Sequence, residues 1–118
     1  MERLIARLFL VREIAHREHL KTNSYARHMA LGDFYDAIVD KADAIAEAYQ
    51  GKFGVMQEIP FLLPNVQGDI IAVLEANLAI IESTRYEEVA REETAIQNLI
   101  DEAVAVFLST LYKLKTFP

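Results

Sequence analysis

The chain has 118 residues, the usual size of one domain and enough to bury a core. It contains no cysteine, which excludes disulfides, thiolate catalysis and cysteine-based zinc sites, so any metal would need histidine and carboxylate ligands. Its net charge of −6 offers no basic surface for a phosphate backbone, and we therefore do not expect nucleic acid as a partner.

Apolar runs in the sequence are short. None approaches the roughly 20 residues that a membrane-spanning helix needs, and the first ten residues, MERLIARLFL, are interrupted by charge. We therefore expect no membrane partner and a cytoplasmic protein. Because no repeat, low-complexity tract or linker divides the chain, residues 1–118 are predicted to form a single helical-bundle domain.

The first predicted helix covers residues 2–21. Steps of three and four residues place an apolar stripe on one side of it: Leu4, Leu8, Val11, Ala15 and His19. Three further apolar residues lie outside this stripe: Phe9, Leu10 and Ile14. Since monomers seldom leave such surface in water, we predict a homo-oligomer, at least a dimer, with helices one and two at its interface.

The second predicted helix covers residues 25–50, and Asn23 or Ser24 is expected to cap its first turn. Its core stripe is His28, Leu31, Tyr35, Ile38, Ala42, Ile45 and Tyr49. Gly51 is predicted to end this helix in a left-handed cap. Residues 52–66 contain glycine and two prolines without a helical period, which predicts a connection long enough to run the length of helix two.

The third and fourth helices are predicted over residues 68–84 and 92–115. Gly68 and Asp69 begin helix three, and Arg85 is expected to end its core stripe of Ile71, Leu74, Leu78 and Ile81. The core positions of helix four are Ile96, Leu99, Ile100, Ala103, Phe107, Leu111 and Leu114. Four helices with one long connection between helices two and three predict an all-α four-helix bundle.

Histidines and carboxylates are the residues with metal-binding chemistry. The three histidines, His16, His19 and His28, all lie in the first two helices, and Glu13 precedes His16 at the Glu-x-x-His spacing of di-iron bundles. One face of helix two carries five acids: Asp33, Asp36, Asp40, Asp43 and Glu47. An acidic face either binds cations or is simply solvated. A histidine in a core stripe is more often bonded to a carbonyl or tyrosine than to a metal.

The segment from His16 to Gly51 resembles the first two helices of the Dps-type, mini-ferritin branch of the ferritin-like superfamily. That family has two histidines twelve residues apart, an aspartate four further on, another eleven beyond and a glutamate four after that. His16, His28, Asp43 and Glu47 match this spacing. His19, followed by Leu20, fits the local context of the first histidine better, so His16 and His19 both stay candidates.

One position departs from the family pattern, because Gly32 stands where the family has its first aspartate. Asp36, one turn further along the helix, is the candidate replacement. Asp33 is disfavoured because it is rotated by about 100° from that position. The resemblance therefore implies this set of candidate metal ligands: His16, His19, His28, Asp36, Asp43 and Glu47.

Two functions follow as expectations. The resemblance implies a ferritin-like fold with iron bound between two subunits, and ferroxidase and iron-storage activity, although the ligand types alone do not choose between iron and zinc. The alternative is a non-catalytic helical oligomer, structural or interacting, that has kept the fold and lost the metal site. Gly32 and the apolar first helix favour this alternative. Whether the protein is an enzyme is left open, and no catalytic residue is predicted.

Overall fold

The computed structural model describes residues 1–64 and 66–118, which contain four α-helices and no strand. The helices are α1 (Glu2–Lys21), α2 (Tyr25–Phe53), α3 (Ile70–Glu88) and α4 (Thr94–Thr116). The prediction of a compact all-α chain is therefore confirmed, and the bundle measures 44 × 24 × 22 Å. No helix in the described ranges is long and apolar enough to cross a membrane.

Two of the helices have a side chain that caps their first turn. The Ser24 hydroxyl accepts from the backbone N–H of Arg27 at 3.2 Å, so Ser24, and not Asn23, caps α2. Asp69 caps α3 by accepting from the N–H of Ile71 at 3.1 Å. The predicted end of α2 at Gly51 is wrong, because the helix continues to Phe53 and the left-handed glycine is Gly54, with φ of 93°.

Ion pairs between helices show how the chain runs through the bundle. Helix α1 packs against α2 and α3, and α4 packs against the same two helices. Lys41 bonds Glu102 and Lys113 lies 3.9 Å from Asp33, so α4 runs antiparallel to α2. Lys115 bonds Glu75 and Arg85 bonds Asp101, so α4 also runs antiparallel to α3. Helices α2 and α3 are therefore parallel. Because they do not pack against each other, they lie diagonally opposite in the bundle.

The connection between α2 and α3 is a long crossover. Arg27 in the first turn of α2 donates to Asp69 at 2.8 Å, so α2 and α3 begin at the same end of the bundle. Residues 54–69 must therefore return along the whole length of α2. The sequence correctly predicted a long connection here, but the predicted range of 52–66 begins two residues too early. That range includes Asn65, which lies outside the described residues.

The core follows the predicted stripe closely on α4 and differs from it on the other helices. Phe34 of α2 is buried although it lay outside the predicted stripe. On α3, Ile70, Val73 and Asn77 are buried, whereas the predicted Ile71 and Leu78 are only partly buried. Phe34 and Phe107 meet edge to face at 5.1 Å between ring centroids in the centre of the bundle.

Leu10 is buried and Ile14 packs partly buried against the core, although both were predicted to project away from it. Because α1 contacts helices on two sides, a wider arc of it is covered, and of those three residues only Phe9 stays exposed, at 40%.

Helix α3 also continues beyond its predicted end. Arg85 was expected to close the stripe, yet it is buried and the helix extends to Glu88. Its guanidinium donates to the side chain and the carbonyl of Gln97, and to Asp101, at 2.7 to 2.9 Å. A charge with all these partners can occupy a core position that the apolar pattern did not predict.

Candidate functional site

The three histidines come together at one end of the α1–α2 pair. Residues 22–24 form a tight turn between the helices, so the end of α1 faces the beginning of α2. The rings of His19 and His28 stack with centroids 3.8 Å apart and planes 18° apart. The His16 ring lies 6.2 Å from that of His19 and stacks on Tyr35 at 4.2 Å. We call these four residues the histidine cluster.

A reciprocal pair of hydrogen bonds holds the stacked rings. His19 Nδ1 donates to the carbonyl of His28 at 2.6 Å, and His28 Nδ1 donates to the carbonyl of His19 at 2.8 Å. A carbonyl only accepts, so both Nδ1 atoms carry the proton and, in the neutral rings, both Nε2 atoms have a free lone pair. The His19 carbonyl belongs to the last turn of α1, where it has no partner within the helix, and the His28 ring supplies one.

Gly32 makes room for this arrangement. A Cβ atom placed on Gly32 would lie 3.1 Å from Cε1 and 3.3 Å from Nδ1 of His19, closer than ordinary van der Waals contact. An aspartate at this position, as in the family that the sequence resembles, would have to displace the ring. The stacked arrangement of His19 and His28 therefore depends on the absence of a side chain at Gly32.

The candidate acids lie on the outer surface of α2. Asp36, Asp43 and Glu47 are all exposed, and Asp43 and Glu47 are one helical turn apart, so both can reach the same ion. Within residues 1–64 and 66–118, however, no three histidine, aspartate or glutamate side chains are grouped so that they could hold a metal. One copy of the chain therefore brings the histidines together and leaves the acids apart from them.

The stack limits how the two histidines can bind metal. An imidazole binds through a lone pair in its ring plane, with a metal–nitrogen bond of about 2.1 Å. The two rings are nearly parallel, with centroids 3.8 Å apart, so their in-plane lone pairs cannot both point at one ion at that distance. Each ring, fixed by a carbonyl on Nδ1, fits the usual second contact of a metal ligand, but the pair does not fit as joint ligands of one ion.

Two features near the site were not predicted from the sequence. The crossover forms one wall of a groove of about 720 Å³ whose other wall is α1, and Val39 of α2 lies at its base. Arg12 also lines the groove, and its Nε is a buried nitrogen without a hydrogen-bond partner among the described residues. The signals of this groove in the sequence were Phe9 and Leu10, outside the predicted stripe of helix one, and the run of apolar residues at 59–63.

Comparison with known proteins places the chain in a family. Residues 19–114 match the family of unknown function DUF5856, and the chain belongs to it. The match begins at His19 and covers both stacked histidines, the crossover and helices α3 and α4. No curated protein and no solved structure gives a significant match.

Proposed function

We propose that this protein is a ferritin-like bundle that self-associates and binds iron(II) at a site shared between two subunits. The observation that carries the proposal is the pair of histidines whose Nδ1 atoms are fixed by carbonyls, which leaves Nε2 as the metal-binding atom. The single long crossover, which makes α2 and α3 parallel, is the connectivity of ferritin-like bundles and supports this class.

Because the acids stand apart from the histidines in one copy, the shared site takes them from a second one. Asp43 and Glu47 of one subunit would supply carboxylates, and His28 with either His16 or His19 of the other would supply imidazole nitrogen. Since His19 and His28 cannot bind one ion while stacked, the pair contributes one ligand to each ion unless the stack opens. Asp36 is the remaining exposed acid that could replace the carboxylate missing at Gly32.

The test is an anaerobic iron(II) titration, followed by the rate of oxidation after adding oxygen or peroxide. Wild type is compared with Asp43→Ala plus Glu47→Ala. The matched control is Glu87→Ala plus Glu92→Ala, which removes the same charge from exposed positions at the end of α3 and the turn after it. We expect binding and oxidation to fall at least about tenfold in the first variant only. Equal behaviour of all three proteins would end the proposal.

A second candidate function is a helical oligomer without a metal site. The specific observation in its favour is that His19 and His28 already have a structural role, since the ring of each bonds the backbone of the other helix. The absence of a Cβ at Gly32 also leaves room for the His19 ring. Zinc(II) in the same titration separates the candidates further. A protein that binds neither iron nor zinc, and whose thermal midpoint neither metal raises, belongs to this second class.

A further inference from the structure

The groove beside α1 lacks an occupant in the single chain. Phe9, Leu10, Val39 and Ile59 are among its lining residues, and its volume is about 720 Å³. Grooves of about 300–1,000 Å³ with mainly apolar lining are typical binding sites. The shape alone does not identify the occupant, but three other observations do.

The first observation is Phe61 on the crossover. It lines the same groove, yet its side chain is 100% exposed, so it stands at the rim and does not fill the space. A phenylalanine held in water costs about 1.5–3 kcal/mol relative to burial. If two copies of the chain pack face to face about a two-fold axis, the Phe61 of each can enter the groove of the other.

The second observation is the buried Nε of Arg12, which has no partner among the described residues. A buried polar atom without a hydrogen bond is costly, so a partner that turns the guanidinium outward and supplies an acceptor would stabilise the side chain. The guanidinium is a planar fork of donors and pairs best with a carboxylate. The occupant of the groove should therefore bring an acid.

The third observation is the charge of the two helices that border the groove. Of the arginines of α1, Arg12 lines the groove, whereas Arg3 and Arg7 line a separate pocket against α3 and Arg17 pairs with Glu13. Asp36 and Asp43 flank Val39 on the exposed face of α2, one turn to either side of it. A second copy turned by a two-fold axis would set the acids of its α2 against Arg12, as complementary interfaces do.

We propose that the occupant is a second copy of this chain, in a two-fold dimer where Phe61 of each subunit fills the groove of the other and Arg12 pairs with Asp36 across the interface. The inference deepens the self-association that the proposed function requires. It concerns packing and charge alone, and it applies whether or not the site binds metal.

The first measurement is the mass in solution by sedimentation equilibrium, with EDTA present, from 1 to 100 μM as an order-of-magnitude range around typical affinities. We expect wild type to reach at least twice the chain mass of 13.4 kDa. Phe61→Ser should weaken the dimer by about 10- to 100-fold. The control is Val55→Ser on the same crossover, because Val55 is also exposed, at 86%, and lies outside the groove. Both positions are exposed, so neither variant should lose helix by circular dichroism.

The second measurement uses the absence of cysteine in the natural chain. Single variants Phe61→Cys and Phe9→Cys are mixed under mild oxidation, so that any mixed disulfide must join two chains. We expect it to form faster than the disulfide between Val55→Cys and Phe9→Cys. A third variant, Arg12→Gln, should reduce the salt dependence of dimerisation.

Three results would overturn the inference: a wild-type monomer throughout the concentration range, an unchanged mass for Phe61→Ser, or equal disulfide rates for the two mixtures. A protein that stays monomeric and binds a lipid or another protein in the groove would overturn the inference in the same way as the first result. The iron titration fails or succeeds separately. A dimer that forms as described but binds no iron would leave this inference standing and end the proposed function.

Discussion

Arg85 of α3 donates to both the side-chain oxygen and the backbone carbonyl of Gln97 in α4, and Gln97 returns a bond to the carbonyl of Val89 between the two helices. This buried exchange closes the α3–α4 turn, where neither glycine nor proline marks a break. These side chains stabilise the turn together with its backbone hydrogen bond from the N–H of Glu93 to the carbonyl of Ala90.

Arg85→Ala should lower the free energy of unfolding by about 2–4 kcal/mol, because it leaves the buried side-chain oxygen of Gln97 without its donor. The control is Arg91→Ala, whose exposed guanidinium lies 3.6 Å from the Tyr86 ring centroid and should contribute about 1 kcal/mol or less. Urea unfolding measures both. Equal effects of the two substitutions would contradict a structural role for the buried exchange.

Gly32→Ala and Gly51→Ala form a matched pair, since both glycines lie inside α2. Gly51 has no atom within 4 Å of an added Cβ, so alanine there should stabilise the protein by about 0.5–1 kcal/mol. At Gly32 the new Cβ meets the His19 ring, and the gain should disappear or turn into a loss. Thermal unfolding checks the difference. An equal gain at both positions would mean that the ring moves aside without cost.

The stacking of His19 and His28 predicts energetic coupling. A double-mutant cycle of His19→Ala and His28→Ala should give a coupling free energy of about 0.5–1.5 kcal/mol or more, because each ring also bonds the backbone beside the other. His16→Ala with His28→Ala serves as the control and should couple less. Additive effects in the first cycle would show that the stack contributes nothing beyond its two members.

Asp69 predicts a dependence of stability on pH. The hydrogen bond from Arg27, helped by the N–H of Ile71, holds the pKa of Asp69 below its usual 3.8. Since the pKa is lower in the folded state, the stabilisation is present above about pH 4 and is lost as the pH falls through the folded pKa. Asp69→Asn keeps a capping oxygen and removes the charge, so its stability should fall less between about pH 5 and pH 2. Parallel pH profiles for the two proteins would contradict this.

Much of the fold could be predicted from periodicity. Helix α4 lies within two residues of its predicted bounds because its stripe is unbroken and amphipathic. The errors occur where a polar side chain takes over a structural task. Arg85 lies inside α3 because it bonds residues of α4, and such contacts between helices cannot be read from the local sequence. Gly51 was predicted to end α2, but Gly54 is the glycine at its end.

The candidate site was predictable in part. The spacing of His19 and His28 marks both as stripe residues, and hydrogen bonding to a carbonyl was the common expectation for such positions. That each ring bonds the other residue's own carbonyl depends on the geometry of the turn, which spacing does not specify. Whether Asp36, Asp43 and Glu47 meet a histidine depends on a second chain, so metal binding and self-association stay predictions.

The crossover also determines the order in which contacts can form. Helices α1 and α2 are joined by three residues, and α3 and α4 by a similarly short turn, so each hairpin closes with little loss of chain entropy. The contacts of α1 with α3 and of α2 with α4 require closure of the far longer loop at 54–69. The two hairpins should therefore gain protection from hydrogen exchange first, and docking between them should be the slow step of folding.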